Sequence, residues 1–178
     1  MTDRQLSPHF SLFVLTRTDH VDLQEENRHI TDEEERKLRE LADLLETCRS
    51  ILGRDIDVHS ARRYLALNAR VGGSVRSQHL KCEAADWSPA GPDTETTVTE
   101  AWRKIATAAR IGKLKFGQLI VESQAGREGR VWWVHISLGA PYRAIERCGE
   151  VLSMKDGRFT LSEKIAMPAL THGENPHA

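Results

Sequence analysis

Residues 31–53 form a helix with both of its ends written into the sequence. Thr31-Asp32-Glu33-Glu34 is a capping box: the Thr31 hydroxyl can accept from the third helical amide, and Glu34 can reach back to the amide of Thr31. The acidic run 32–35 suits the positive end of the helix dipole. Leu38, Leu41, Leu45, Cys48 and Leu52 follow at three- and four-residue spacing, so one apolar stripe faces a core. Gly53 is placed to close the helix in the left-handed conformation.

The rest of the chain offers strands and a second long helix. Residues 10–15 read as a short extended segment and 17–30 as a polar loop. Ile56 and Val58 alternate with polar neighbours, which predicts a strand over 55–59. Residues 64–71 suggest a short helix stopped by Gly72-Gly73, and 87–93, with Pro89, Gly91 and Pro92, a loop. Residues 96–111 repeat the amphipathic pattern through Trp102, Ile105, Ala106 and Ala109, with Gly112 as cap. Residues 116–122 and 130–138 read as strands joined by the glycine-containing loop SQAGREG. A last hairpin is expected over 150–152 and 158–161 around Asp156-Gly157, and 172–178 reads as a frayed tail. The expected architecture is one α+β domain over 1–178. Its core covers about residues 10–165 and its tail 166–178; a small antiparallel sheet carries helices on one side.

Composition excludes several function classes. The chain has 178 residues, 39% hydrophobic and 29% charged, which is an ordinary globular balance. A net charge of −1 gives no reason to expect nucleic acid as partner. Cys48, Cys82 and Cys148 form no C-x-x-C pair, and an odd count is a poor disulfide framework, so a reduced compartment is the simpler reading. No apolar run approaches the roughly 18 residues of a membrane span. The patch at 10–15 lacks the basic flank and cleavage site of a signal peptide. The expectation is a monomer made in the cytoplasm, with no membrane partner, that other means must carry to any target outside.

The chemistry concentrates in SVRSQHLKCEAAD, residues 74–86. His79 and Asp86 stand seven residues apart, with Ala84 and Ala85 leading into the aspartate. His135 arrives much later, in VWWVHIS. Strand alternation puts Trp133, His135 and Ser137 on one face and Trp132, Val134 and Ile136 on the other. Of the two tryptophans that straddle the strand, one is expected in the core and one along the cleft. A histidine in an otherwise apolar strand needs a partner for its ring nitrogens. Two histidines and one carboxylate are ligand types that zinc accepts, and three of them leave one coordination position open, as in a catalytic site. His9, His20, His29, His59, His172 and His177 lack such spacing.

These segments, in this order, resemble the zinc D-Ala-D-Ala carboxypeptidases of the M15 class, especially the small bacterial and phage forms. The matching text is Ser60-Ala61-Arg62-Arg63, Asn68, Val71-Gly72-Gly73-Ser74, Ser77-Gln78-His79, Ala84-Ala85-Asp86, Gln118-Leu119-Ile120-Val121-Glu122 and Trp133-Val134-His135-Ile136-Ser137. The opening FSLFVLTRTD is similar too, so the resemblance covers about residues 10–152. It implies one zinc ion on His79, Asp86 and His135, in a cleft on the sheet. It also implies Arg63 at the substrate's carboxylate, and Ser77 contacting substrate or supporting a ligand. Glu122 would be the general base that takes and returns the proton. The implied substrate is a peptidoglycan stem peptide, cleaved at a terminal D-Ala-D-Ala or at an internal bond.

Departures from the family pattern leave alternatives open. Cys82 stands where the family has glycine, so a positive φ there would be strained, and its thiol is a candidate fourth ligand. Ala61-Arg62 replaces Gly-Tyr before Arg63. Trp132 and Trp133 occupy positions where some relatives carry a catalytic glutamate or histidine, which throws the base onto Glu122. The alternatives are a non-catalytic cell-wall-binding or virion-associated module that keeps the fold, an endopeptidase or endolysin, and a generic zinc amidase. A chain without a signal peptide that acts on the cell wall fits a phage lysin or a tail-associated enzyme.

Overall fold

The structure is a computed structural model and describes residues 3–167. The tail expected at 172–178 lies outside the described residues. The elements run α1 (Leu12–Thr16), α2 (Gln24–Arg28), α3 (Asp32–Leu52), β1 (Ile56–Ser60), α4 (Leu65–Arg70), β2 (Ala84–Pro89), α5 (Glu95–Arg110), β3 (Gln118–Gly126), β4 (Gly129–Ser137), β5 (Glu150–Lys155) and β6 (Arg158–Lys164). Among the described residues no helix is long and apolar enough to cross a membrane.

The strongest sequence signals become the two packing helices. Thr31 and Glu34 form both bonds of the capping box, and Gly53 closes α3 with φ +68°. α5 carries a similar reciprocal cap between Thr94 and Thr97. Leu38, Leu41 and Leu45 of α3 and Val98 and Ile105 of α5 are all fully buried. They cover one face of the sheet, where Ala85, Trp87, Leu119, Val121, Val134 and Ile136 meet them in one apolar cluster.

The sheet has six strands in the order β1-β2-β4-β3-β5-β6. It is mixed, not antiparallel as expected: β3 and β5 run parallel, and every other pair is antiparallel. The cause is the path of residues 138–149. They cross the start of β3 and deliver β5 to its far side, so β5 must run in the same direction as β3. Gly117 sits at that crossing, where a Cβ would collide with the Leu138 carbonyl oxygen.

Three local expectations are corrected. Residues 10–15 are not extended; Ser11 caps α1, its Oγ accepting from the Val14 amide at 3.4 Å. A six-residue apolar run does not distinguish strand from helix, and the capping serine settles it locally. The segment 17–30 is not all loop; it holds a 3-10 turn (Val21–Leu23) and α2. Residues 87–89 are strand, with Trp87 fully buried between β1 and β4. Pro89 is tolerated because it lies past Trp87, the last β2 residue paired with β4.

Candidate metal centre

The face of the sheet away from α3 and α5 carries the site. Register fixes it: Asp86 of β2 pairs with His135 of β4, His135 pairs with Ile120 of β3, and Glu122 pairs with Trp133. Asp86, His135 and Glu122 therefore share one face. Trp132 packs against the core, and Trp133 stands on the site face opposite Glu122. His79 arrives from outside the sheet on a 3-10 turn (Gln78–Lys81), which Ser77 caps by accepting from the His79 amide at 3.3 Å.

Cys82 ends that turn at φ 58°, ψ 32°. The glycine of the family pattern thus marks a left-handed position, and here a cysteine adopts it at a cost of roughly 1 kcal/mol. Its side chain does not join the group of His79, Asp86 and His135 that could hold a metal. The Sγ faces Glu34 Oε1 at 4.0 Å, and burial, aided by the charge of Glu34, pushes the thiol up to about 12.

His79, Asp86 and His135 come together, all three buried, with one potential ligand atom each within 4.8 Å of the others. Their secondary bonds set the ring tautomers. His79 Nδ1 donates to the Ala61 carbonyl at 2.7 Å, so Nε2 is the lone-pair nitrogen of the neutral ring. That Nε2 lies 3.2 Å from Asp86 Oδ2. His135 Nε2 donates to Gln78 Oε1 at 3.3 Å, and its Nδ1 lies 2.8 Å from Asp86 Oδ1. Two imidazole lone pairs thus converge on a carboxylate that offers no proton, an arrangement that a shared cation satisfies. A proton on His79 is a poor substitute, because burial lowers its affinity for one. Burial also opposes charge on Asp86, but in the absence of a metal positive charge on His79 and His135 outweighs it and holds the carboxyl well below the usual range; a bound cation would supply that compensation with both rings neutral. The donor set fits a divalent metal, and zinc in particular accepts two imidazoles and a carboxylate.

Two more groups complete the constellation. Glu122 is only 9% exposed. Burial and then the charge of Asp86 push its carboxyl up to about 7, against the pull of His135 and Arg63. Arg63 donates from Nε to Ser60 Oγ at 2.7 Å and from Nη2 to Asp86 Oδ2 at 2.5 Å. Its amide also donates to the His79 carbonyl at 3.1 Å, tying this segment to the turn that carries His79. Ser77, Gln78, Glu122 and His135 line a cleft of about 530 Å³.

Sequence reasoning missed Gln78 and Asn27. Gln78 orients His135, and it sat unremarked inside the quoted S-Q-H motif. Asn27 is fully buried: its Nδ2 donates to the carbonyls of Thr16 (2.6 Å) and Arg62 (2.9 Å), and its Oδ1 accepts from the Tyr64 amide (2.9 Å). It grips the chain on both sides of Arg63. A polar residue inside a polar stretch gave no signal of that role.

The Peptidase M15 family matches residues 15–136, a span that holds Arg63, Ser77, His79, Asp86, Glu122 and His135. The chain belongs to the M15 peptidases. No match was found among curated proteins.

Proposed function

We propose that the protein is a zinc metallopeptidase that hydrolyses peptidoglycan stem peptides in the manner of a D-Ala-D-Ala carboxypeptidase. The observation that carries this reading is the convergence of His79, Asp86 and His135 on one point of the sheet face that also bears Glu122. These three residues would hold the ion, which when bound polarises a peptide carbonyl and acidifies water. Glu122 is buried and ionises near neutral pH, the range in which a carboxylate accepts a proton from the attacking water and returns it to the leaving amine. Arg63 uses Nε and Nη2 on Ser60 and Asp86, and its Nη1 hydrogens are not spent in those bonds. They are available to a substrate carboxylate. Ser77 acts through the backbone of His79, as a positioning residue.

The test is to load the full chain with zinc, count the metal, and follow release of D-alanine from a pentapeptide stem. One equivalent of zinc with D-alanine release supports the reading. One equivalent with cleavage only at an internal bond makes it an endopeptidase. Metal bound with no cleavage of any stem peptide makes it a binding module.

A further inference from the structure

The cleft in front of Glu122 and His135 is walled by cations that the protein leaves largely unanswered. One wall carries Arg76 and Lys81, on the turn around His79; the other carries Arg143 and Arg147, in the loop after β4. Both walls are preformed. Asn68 Nδ2 donates to the Gly73 and Ser74 carbonyls at 3.1 and 3.0 Å, and Ser74 Oγ accepts from the Arg76 amide at 3.1 Å. Across the cleft, Arg143 Nε donates to the Arg147 carbonyl at 2.6 Å, and a 3-10 turn (Ile145–Arg147) shapes the loop.

Elsewhere on the surface some arginines meet carboxylates, as Arg36, Arg39, Arg70 and Arg130 do, and others are scattered singly; the cleft differs in gathering several cations around one opening. In the cleft Arg143 meets Glu150 at 2.6 Å. Among the described residues no carboxylate pairs with Arg76, Lys81 or Arg147. Two acids line the same cleft: Glu83 is taken by Lys37 at 3.0 Å, and Glu122 is the base proposed above. For a chain of net charge −1, three unanswered cations around one cleft are a local excess that attracts an anion. Because they flank Glu122 and His135, that anion belongs to the molecule being cut. Arg63 is set apart from them, bonded to Ser60 and Asp86.

We infer that Arg76, Lys81 and Arg147, with Arg143, form a second carboxylate subsite that takes a carboxylate carried within the peptide and not at its C-terminus. The inference rests on the peptidase reading and narrows its substrate class to acidic peptides, such as a stem peptide whose γ-linked D-glutamate keeps its α-carboxyl free. Arg143 and Arg147 lie beyond the span 15–136 that the family matches, so one wall of the subsite falls outside it.

The test compares two stem peptides that differ only at that α-carboxyl, free in one and a carboxamide in the other. Binding to the zinc-loaded full chain is read by calorimetry on Glu122→Ala, and hydrolysis is read on the wild type. The free acid should bind at least about tenfold more tightly, with a preference that shrinks as salt rises. Arg76→Glu and Arg147→Glu should each collapse the preference. The double variant should favour a peptide with lysine in place of the glutamate, a reversal that a folding defect does not produce. Equal binding of the two peptides overturns the inference, and hydrolysis of both in that case leaves the peptidase reading intact. Tighter binding of inorganic polyphosphate than of the acidic peptide also overturns it, since the cleft would then read phosphates. Preference for the free acid with neither peptide cleaved upholds the subsite and removes the peptidase reading.

Discussion

The two faces of β2, β3 and β4 do opposite work with residues one position apart. Val134 and Ile136 are fully buried under α3 and α5, while His135 between them is 8% exposed on the other face. Asp86 and Glu122 are nearly as buried as His135. Burial is therefore almost equal, and what satisfies it differs. The apolar face is satisfied by packing, where each large side chain gains roughly 1.5 to 3 kcal/mol. The polar face is satisfied by pairing, and a buried charge with its partner removed costs roughly 3 to 5 kcal/mol. The helix-covered face supplies the stability that lets the other face hold ionisable groups out of water, and ionisable groups so held have proton affinities suited to chemistry.

The sharpest way to break this contrast is to substitute adjacent registers. Asp86→Ala removes the group that both imidazoles face. Metal content by elemental analysis should fall to background, and peptide hydrolysis by on the order of a thousandfold or more, since several kcal/mol of transition-state stabilisation go with the ion. Ile136→Ala, next to His135 but on the packed face, should keep the metal in its folded fraction and lower stability by about 2 to 5 kcal/mol in denaturant. Full metal occupancy in Asp86→Ala would show that the polar face is not built around a cation.

Glu122→Ala separates metal binding from proton transfer. Zinc content should stay nearly unchanged while kcat drops by at least about a hundredfold, the scale of a lost general base. Near-normal turnover would assign the proton to another group.

The same residue predicts a pH signature in the metal-free protein. Glu122 ionises at about 7 when folded, against 4.5 for an ordinary glutamate. Between those values the folded state holds a proton that the unfolded chain has released, so its contribution falls as pH rises through that window. The loss amounts to roughly 3 kcal/mol. His79, lowered from 6.5, acts with the opposite sign in an overlapping range. The diagnostic is therefore wild type minus Glu122→Gln: that difference should decline from about pH 4.5 to 7. A flat difference would show that Glu122 is not held out of water.

The period-two pattern of β4 and the S-x-H, A-A-D and W-V-H-x-S motifs made the two faces readable before any coordinates. His79, Asp86 and His135 fall together as that pattern requires. The capping box marked the start of α3, and the apolar spacing of Trp102, Ile105, Ala106 and Ala109 marked α5, because both signals are local; the Thr94–Thr97 cap of α5 was not read in advance. What else escaped is non-local. The parallel pairing of β3 and β5 depends on where residues 138–149 travel and on the space that Gly117 leaves them. Gln78 and Asn27 act through partners 57 and 35 residues away in the chain, at His135 and Arg62. The φ of Cys82 could be anticipated from the glycine it replaces. The direction of its thiol could not, since Glu34 reaches it from α3.

The smallest expected effect concerns Arg62 and Arg63, neighbours that the chain turns to opposite sides. Arg62 is 8% exposed; it donates to the Glu26 carbonyl at 3.1 Å and to Glu34 Oε1 at 3.2 Å, which leaves it in the framework and away from substrate. Arg63 faces Asp86. If Arg63 meets a terminal carboxylate, a stem peptide amidated at its C-terminus should lose about tenfold or more in kcat/KM, since a bond to a charged group contributes roughly 1.5 to 3 kcal/mol. Arg63→Ala should erase the preference for the free acid. Arg63→Lys should restore only part of it, because an ammonium lacks the planar fork. Arg62→Lys should leave that preference in place and instead lower the melting temperature, because the guanidinium bonds to Glu34 and the Glu26 carbonyl are not reproduced. If Arg62→Lys erased the preference and Arg63→Ala did not, the two side chains would have exchanged roles. Equal rates on free and amidated peptides with wild type would remove the carboxypeptidase form of the proposal and leave an endopeptidase on the same metal centre.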